Sequence, residues 1–342
     1  MASFNQNIQR KRRLLTIDMM QGIAMLWVVV GHHLLEFMPQ IYGSIHYYIY
    51  SFHMPFFIFI SSFLIAYSYK SQKYRTYVYR KFHKFFIPYV FIGVLVTLLA
   101  AIQKGWNSIP MNFFDLLLSP KQSDATFLWY IYLLFFLYAL YPLCLKLRMK
   151  FKGYFEFLIL LVSGYFYLNP VSTPIFCLDY LTGYFLFFIL GIITAWYFPF
   201  LEKRLYQLKV LGLFSLIVFI ALTVLTFVNS SRGIYIGLCF VAIPAMYGLS
   251  VILRKIRYAT NILVSISKNC FHIYLLHMFF IQGIAMIFMK LYAHKIESLG
   301  LMFVYLIFST SISIVGSVVV FKGYDKVKLN IKRKKNKYDT TN

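Results

Sequence analysis

The chain has 342 residues, of which 61% are hydrophobic and only 13% are charged, and its mean hydropathy is +0.70. Soluble domains carry about 25% charged residues, so this composition excludes an ordinary soluble domain and predicts that the bilayer is the solvent. The formal net charge of +24 does not indicate a nucleic-acid binder, because the basic residues sit in short blocks between apolar runs.

Each of the four cysteines lies inside or at the edge of an apolar segment, and none belongs to a CxxC or Cys/His spacing. The pattern therefore predicts neither a disulfide framework nor a metal site. The four are Cys144, Cys177, Cys239 and Cys270.

The N-terminus carries a basic patch, Arg10 to Arg13, followed by an apolar run that is too long for a signal-peptide core. We interpret this run as a retained first membrane helix, because no small-residue cleavage site follows it. Further runs long enough to cross a ~30 Å hydrocarbon core follow along the chain. The predicted spans are Thr16 to Phe37, Ile45 to Tyr69, Phe85 to Ile102, Thr126 to Leu145, Tyr154 to Leu168, Pro174 to Phe198, Val210 to Val228, Ile234 to Leu253, Cys270 to Met289 and Leu299 to Phe321.

The basic residues between these spans support the layout. Of the 34 lysines and arginines, 29 fall at the two ends and in every second connection, and 5 fall in the remaining connections. Lysine and arginine collect in cytoplasmic loops, so this alternation predicts that both termini are cytoplasmic. Removing or adding one helix would scramble the alternation, which gives the even number of spans independent support.

We therefore predict an all-α, polytopic membrane helical bundle of about ten transmembrane helices. Residues 1–342 form a single membrane-embedded domain in this prediction, with cytoplasmic basic tails at 1–14 and 322–342. The longest predicted outer loop is Gln103 to Ala125. Any chemistry must then lie within or beside the helices.

Ionisable groups at membrane depth are costly, so each one inside a span is a candidate functional residue. In the first span Asp18 lies near the inner end, whereas His32 lies about 24 Å along the axis from Thr16, near the outer boundary. His53 in the second span reaches a comparable depth. A neutral histidine can act as general base toward a sugar hydroxyl, and the alternative is an interfacial histidine bonded to water or a carbonyl. His33 points about 100° away from His32 and is interpreted as structural.

Arg80, Lys81 and Lys84 precede Pro88 on the predicted inner face. Lys81 and Lys84 share one side of a helix at i, i+3, a spacing that could bind phosphates. The alternative is an ordinary basic flank of a membrane helix. The C-terminal run Lys326 to Lys337 is interpreted as a tail that faces anionic lipids.

Three further positions carry polar or aromatic groups of interest. His277, in the ninth span, lines a cavity or bonds its helix to a neighbour, and the sequence leaves both readings open. Asp179 in the sixth span is a candidate without a visible partner, or bonds to a neighbouring helix. Trp129 and Tyr130, at the mouth of the fourth span, could stack on a sugar.

Four short blocks, in order along the chain, carry a resemblance to a known family. They are Asp18 with Gln21-Gly22 and Gly31-His32; Ser51-Phe52-His53-Met54-Pro55-Phe56-Phe57 with Ser61-Ser62; Lys81 and Lys84 before Pro88-Tyr89; and Asn269-Cys270 with Ile273 to His277. Together they resemble the bacterial acyltransferase-3 membrane O-acyltransferases, in particular the branch similar to fucose 4-O-acetylases. The resemblance spans nearly the whole chain. Two positions depart from the family pattern: Gln21 stands where the family carries Arg or Lys, and Ser62 replaces a Gly.

The resemblance implies a role for each of these residues. His32 with Asp18 would be catalytic. Lys81, Lys84, Arg80 and Gln21 would bind the acyl donor. The residues that line the site would be His53, Ser61, His277 and Trp129.

The resemblance also implies a reaction. An acyl group, expected to be acetyl, would pass from acetyl-CoA as co-substrate, with no bound cofactor and no metal, to a hydroxyl of a lipid-linked or extracytoplasmic glycan. The expected location is the bacterial plasma membrane, among membrane lipids and other polysaccharide-biosynthesis proteins. Because Gln21 is neutral, a second hypothesis is a polysaccharide export partner similar to the family members tied to intercellular adhesin. A third is an inert membrane scaffold.

Overall fold

The computed structural model describes residues 14–34, 36, 38–229, 231–292 and 296–339. These residues form α-helices joined by short connections, and none of them lies in a β-strand. The α-helices in chain order are α1 (Leu15–Gly31), α2 (Gln40–Ser68), α3 (Tyr74–Lys81), α4 (Ile87–Lys104), α5 (Ile109–Leu118), α6 (Trp129–Phe151), α7 (Gly153–Leu168), α8 (Leu178–Glu202), α9 (Leu205–Val228), α10 (Arg232–Leu253), α11 (Arg257–Lys268), α12 (Cys270–Tyr292) and α13 (Leu299–Asp339).

The described part of the chain contains eight helical segments that are long and apolar enough to cross a membrane. Two shorter apolar helices, α1 and α7, coincide with the first and fifth predicted spans. Each predicted span therefore coincides with one helix, and the all-α polytopic membrane bundle is confirmed. The cytoplasmic placement of the termini stays a prediction, and the patch Arg10 to Arg13 lies outside the described residues.

The boundaries differ from the prediction at four places. α1 ends at Gly31, so His32 follows the helix rather than lying inside it. The predicted inner connections Lys70 to Lys84 and Arg254 to Lys268 contain α3 and α11, and the predicted outer loop Gln103 to Ala125 contains α5. These three extra helices are too short to span a bilayer, with 8, 12 and 10 residues, so a search for long apolar runs passes over them.

α2 lies at the centre of the bundle. In its most apolar 18-residue stretch 83% of the residues are buried, against 56% or less in the other long apolar segments of the described chain. It packs against α1, α6, α8, α9 and α10. The central position of α2 brings its polar residues into reach of five neighbouring helices.

Two glycines allow the closest helix contacts around this centre. A Cβ on Gly191 of α8 would overlap the Ser62 hydroxyl and the Phe59 carbonyl oxygen of α2. A Cβ on Gly22 of α1 would overlap the Leu263 carbonyl oxygen of α11. Small residues permit this approach of two backbones in a membrane. The absence of a side chain at Gly191 also makes room for Ser62, the residue that departs from the family's glycine.

A π-helical turn, Phe82–Phe86, joins α3 to α4 and carries Lys84. Pro88 explains why this turn is not a regular α-helix. Pro88 has no N–H to donate to the Lys84 carbonyl, and its ring would clash with that carbonyl in a regular α-helix. The Ile87 N–H bonds instead to the Phe82 carbonyl, five residues back. π-turns of this kind are frequent at functional sites.

We expect Gly191→Ala to lower the melting temperature of the purified protein, since the added methyl group overpacks the α2–α8 contact at a cost of about 1–3 kcal/mol. Gly164→Ala in α7 is the matched control, because a Cβ there meets nothing within 4 Å. A melting temperature for Gly191→Ala equal to that of the control would contradict the close α2–α8 packing.

Candidate active site

His32 lies at the outer end of α1 in contact with side chains of two other helices. Its Nδ1 is 3.3 Å from the Tyr50 hydroxyl of α2. Its ring centroid is 5.1 Å from that of His277 in α12, and the two rings are tilted by 52°. His32 is half-buried. The structure therefore brings together two predicted site residues, His32 and His277, from the first and fourth sequence blocks.

The hydrogen bonds of His277 fix its tautomer. Its Nδ1 lies 2.8 Å from the Tyr274 carbonyl oxygen and 3.1 Å from that of Ile273. Carbonyl oxygens only accept hydrogen bonds, so Nδ1 must carry the proton and Nε2 must present its lone pair. Nε2 is buried and has no hydrogen-bond partner among the described residues. His277 thus offers an unused acceptor beside His32.

Two more histidines flank Tyr50 on α2. The His46 ring stacks on the Tyr50 ring at 4.1 Å, and the His53 ring lies 4.7 Å from it. The His53 Nδ1 donates to the Ile49 carbonyl at 2.8 Å. Despite this density of imidazoles, no group of three or more His, Cys, Asp or Glu side chains within the described residues is arranged to hold a metal ion.

A basic cavity of about 490 Å³ lies around α3 and the π-turn, on the predicted inner side. Arg80, Lys81 and Lys84 all line it, together with Lys70 and His83, and no Asp or Glu does. The Lys81 ammonium lies 3.9 Å from the centre of the Tyr138 ring, an aromatic face that holds the cation without neutralising it. This cavity gathers three of the predicted donor-binding residues and suits a polyanion.

A second cavity of about 210 Å³ continues from the first into the bundle, and Lys84 and Tyr138 line both. Gln21 and Ser61 line it as well. The Gln21 Oε1 accepts a hydrogen bond from the Ser267 hydroxyl at 2.8 Å. The neutral side chain at position 21 is therefore satisfied by α11, and Lys84 supplies a cation to the same cavity.

An aromatic layer separates this inner cavity from the imidazole pair. The Tyr130 ring lies 4.8 Å from Phe57 and 5.2 Å from Tyr274, and the Tyr274 ring lies 5.7 Å from His277. The Tyr130 hydroxyl bonds to Ser61 at 2.5 Å, and the Tyr274 hydroxyl donates to the Phe127 carbonyl at 2.5 Å. The layer is thus held by hydrogen bonds as well as by ring packing.

One predicted site residue lies apart from this arrangement. Asp18 is near the opposite end of α1 from His32, about 20 Å away along the helix axis, so the structure does not bring the two together. Trp129 begins α6, is buried, and packs against Tyr180 and Tyr184 of α8 and against Tyr130. His33 is buried, and its ring lies 5.8 Å from that of Tyr305.

Sequence reasoning missed Tyr50 and His46, and it left Asp179 without a partner. His46, Tyr50 and His53 recur at spacings of four and three, which places them on one face of a helix. The spacing alone therefore predicts that these three side chains lie together. Asp179 pairs with Lys121 across 58 residues of chain, a contact for which the sequence holds no signal.

A cavity of about 820 Å³, larger than the two described above, lies elsewhere. It opens on the Tyr47 side of α2, away from the face that carries His46, Tyr50 and His53, and it is lined mainly by residues of α2, α9 and α10. None of the predicted site residues lines it. Size alone therefore does not identify the candidate site.

Comparison with known protein families gives one match. The family model Acyl_transf_3, described as an acyltransferase domain, matches residues 14–321. This range extends from just before the first predicted span to the end of the last. No curated protein and no solved structure matches the chain.

The two ends of the candidate site should be reachable from opposite sides of the membrane. We expect Tyr50→Cys to react with a membrane-impermeant maleimide added outside intact cells, and Arg80→Cys to react only after permeabilisation, because both positions are exposed. The wild-type chain, whose four cysteines are buried, is the background control. Ile49→Cys, buried beside Tyr50, should stay unlabelled. Labelling of position 80 in intact cells would reverse the predicted orientation.

Proposed function

The chain belongs to the Acyl_transf_3 acyltransferase family, and we propose that it transfers an acetyl group from acetyl-CoA to a hydroxyl of a cell-envelope or exopolysaccharide sugar. Within the family we assign it to the fucose 4-O-acetylase-like branch, on the block Ser51 to Phe57. The proposed location is the bacterial plasma membrane, where the chain crosses as a multi-pass protein.

The observation that carries this proposal is the imidazole pair. A buried polar atom without a partner is costly, and His277 Nε2 is such an atom beside a half-buried His32. Unpartnered acceptors of this kind persist where a substrate or a transferred proton completes the hydrogen bond. In a chain of an acyltransferase family, that arrangement supports a general base.

The protonation of the two His32 ring nitrogens supports His32 in that role. When Nδ1 of His32 donates to the Tyr50 hydroxyl, its Nε2 is free to take the proton of the acceptor hydroxyl as oxygen attacks the thioester carbonyl. Tyr50 then orients the base. The imidazolium that forms would be costly in this apolar setting, and the lone pair of His277 gives its N–H an acceptor. His32 returns the proton to the departing thiolate, which leaves an ester and free CoA.

The donor would enter from the inner side. The phosphates of acetyl-CoA are polyanionic, and the cavity around Arg80, Lys81 and Lys84 contains cations without a carboxylate. The chain of acetyl-CoA that carries the thioester would continue past Lys84 into the second cavity. The rings of Phe57, Tyr130 and Tyr274 stand between that cavity and His277, so we infer that they rotate aside when the thioester approaches His32.

We expect His32→Ala to lower acetyl transfer about 10²- to 10⁴-fold, the usual contribution of a positioned base, while the protein stays in the membrane. His277→Gln should lower kcat and leave the KM for acetyl-CoA unchanged. Mass spectrometry of envelope glycans from a deletion strain that expresses each variant measures the ester content. CoA release by the purified protein measures kcat and KM.

The control is His272→Asn, because the His272 ring stacks on Phe321 at 4.0 Å rather than on either ring of the imidazole pair. Wild-type ester content with His32→Ala would rule out His32 as the base. Glycan retained in the cell by the deletion strain, rather than exported without esters, would favour the export hypothesis instead.

For the donor site, Lys84→Ala is expected to raise the KM for acetyl-CoA roughly tenfold, because a cation shared by both cavities is lost, a change of about 1.4 kcal/mol. Lys203→Ala removes an exposed cation from a different inner connection and should leave the KM unchanged. CoA release by purified protein measures both values. Equal KM values for the two variants would place the donor elsewhere.

A further inference from the structure

An aromatic surface lies at the outer ends of α6 and α8. The Trp129 ring centroid is 4.1 Å from that of Tyr180, and the Tyr184 ring stacks on Trp129 at 5.9 Å with an angle of 20° between the planes. Tyr180 and Tyr184 are half-buried, so each keeps part of its side chain exposed, and Trp129, which is 8% exposed, packs behind them. Aromatic groups with one apolar part and one wet polar end suit amphipathic ligands such as sugar rings.

This surface is connected to the imidazole pair by ring contacts. The Trp129 ring lies 6.2 Å from that of Tyr130, the Tyr130 ring contacts Tyr274, and the Tyr274 ring contacts His277. Two intervening rings therefore join the aromatic surface to His277.

An ion pair borders the surface. Lys121, from the connection after α5, bonds to the Asp179 carboxylate, and its ammonium lies 3.7 Å from the centre of the Tyr180 ring. The other Asp179 oxygen accepts the Tyr180 backbone N–H at 2.8 Å. Burial lowers the pKa of Lys121, but the hydrogen bonds and charges of Asp179 and Tyr180 together outweigh it, and the net shift is upward. Lys121 is therefore charged at neutral pH and balanced by one carboxylate.

The charge around this surface is balanced rather than positive. Lys104, on the same side of the protein, is paired with Asp124. A sugar hydroxyl can use both partners of the Lys121–Asp179 pair, since one donates and the other accepts. A sugar carboxylate would have to displace Asp179 from Lys121 and would meet its negative charge.

We propose that Trp129, Tyr180 and Tyr184 form the acceptor subsite, and that the Lys121–Asp179 ion pair makes it select an uncharged pyranose ring over a uronic acid. This inference rests on the proposed function, because it assigns the second substrate of the same reaction. It adds a location for that substrate and the residues that determine its charge.

The test measures binding without the donor, so that it does not depend on acyl transfer. Ligand-observed NMR on the full chain in nanodiscs compares methyl β-D-glucopyranoside with methyl β-D-glucuronide. We expect the uncharged glycoside to bind about fivefold more tightly, the effect of a partly exposed ion pair. Tyr180→Leu should weaken both probes. His32→Ala should bind as the wild type does, even if it transfers no acetyl group.

The charge variants make the proposal specific. Asp179→Asn leaves Lys121 unpaired and should reverse the preference in favour of the glucuronide, while Lys121→Gln should disfavour the glucuronide further. Asp124→Asn, at the other outer ion pair, is the matched control and should change nothing. Three outcomes overturn the proposal. The wild type binds the glucuronide as tightly as the glucopyranoside or more tightly, Asp179→Asn keeps the wild-type preference, or neither probe binds. If Asp179→Asn does not fold, Lys121→Gln decides it.

Discussion

Polar side chains inside a bilayer must find partners within the protein, and the arrangement of this bundle follows from that constraint. Ser61 of α2 meets Tyr130 of α6, Gln21 of α1 meets Ser267 of α11, and His32 meets Tyr50. Each pair joins two segments of the bundle. Among the described residues the Nε2 atoms of His33 and His277 are buried without a hydrogen-bond partner, and the ring of His277 is the one that lies beside His32.

The two faces of the bundle differ in charge. The inner cavity contains lysines and an arginine with no carboxylate among its lining residues, whereas the lysines at the outer end of α6 are each paired with an aspartate. Cations without counter-charges attract phosphates, and balanced pairs favour hydroxyls. This asymmetry fits the proposed reaction, in which a charged donor and a sugar reach the bundle from opposite sides. The aromatic layer around Tyr130 keeps the two environments apart.

Glycine positions set how closely the polar partners approach. Gly22 lets α1 touch the backbone of α11, which brings Gln21 to Ser267, and Gly191 lets α8 touch α2. A neutral amide whose Oε1 accepts from Ser267 thus stands where the family carries a cation, while Lys84 lines the same cavity. The cavity keeps a positive charge from Lys84.

The sequence by itself determined the fold class and the spans, because a run of apolar residues long enough to cross lipid can form only a helix there, whatever its neighbours are. It also identified His32, His53, His277 and the basic pair as candidates. It could not place α11 or α5, which are too short for a spanning run. Only the tertiary structure decided that His277 meets His32, that Asp18 lies about 20 Å from His32 along α1, and that Lys121 pairs with Asp179. These contacts join residues far apart in the chain, and they depend on helix packing, which the periodicity of one segment does not contain.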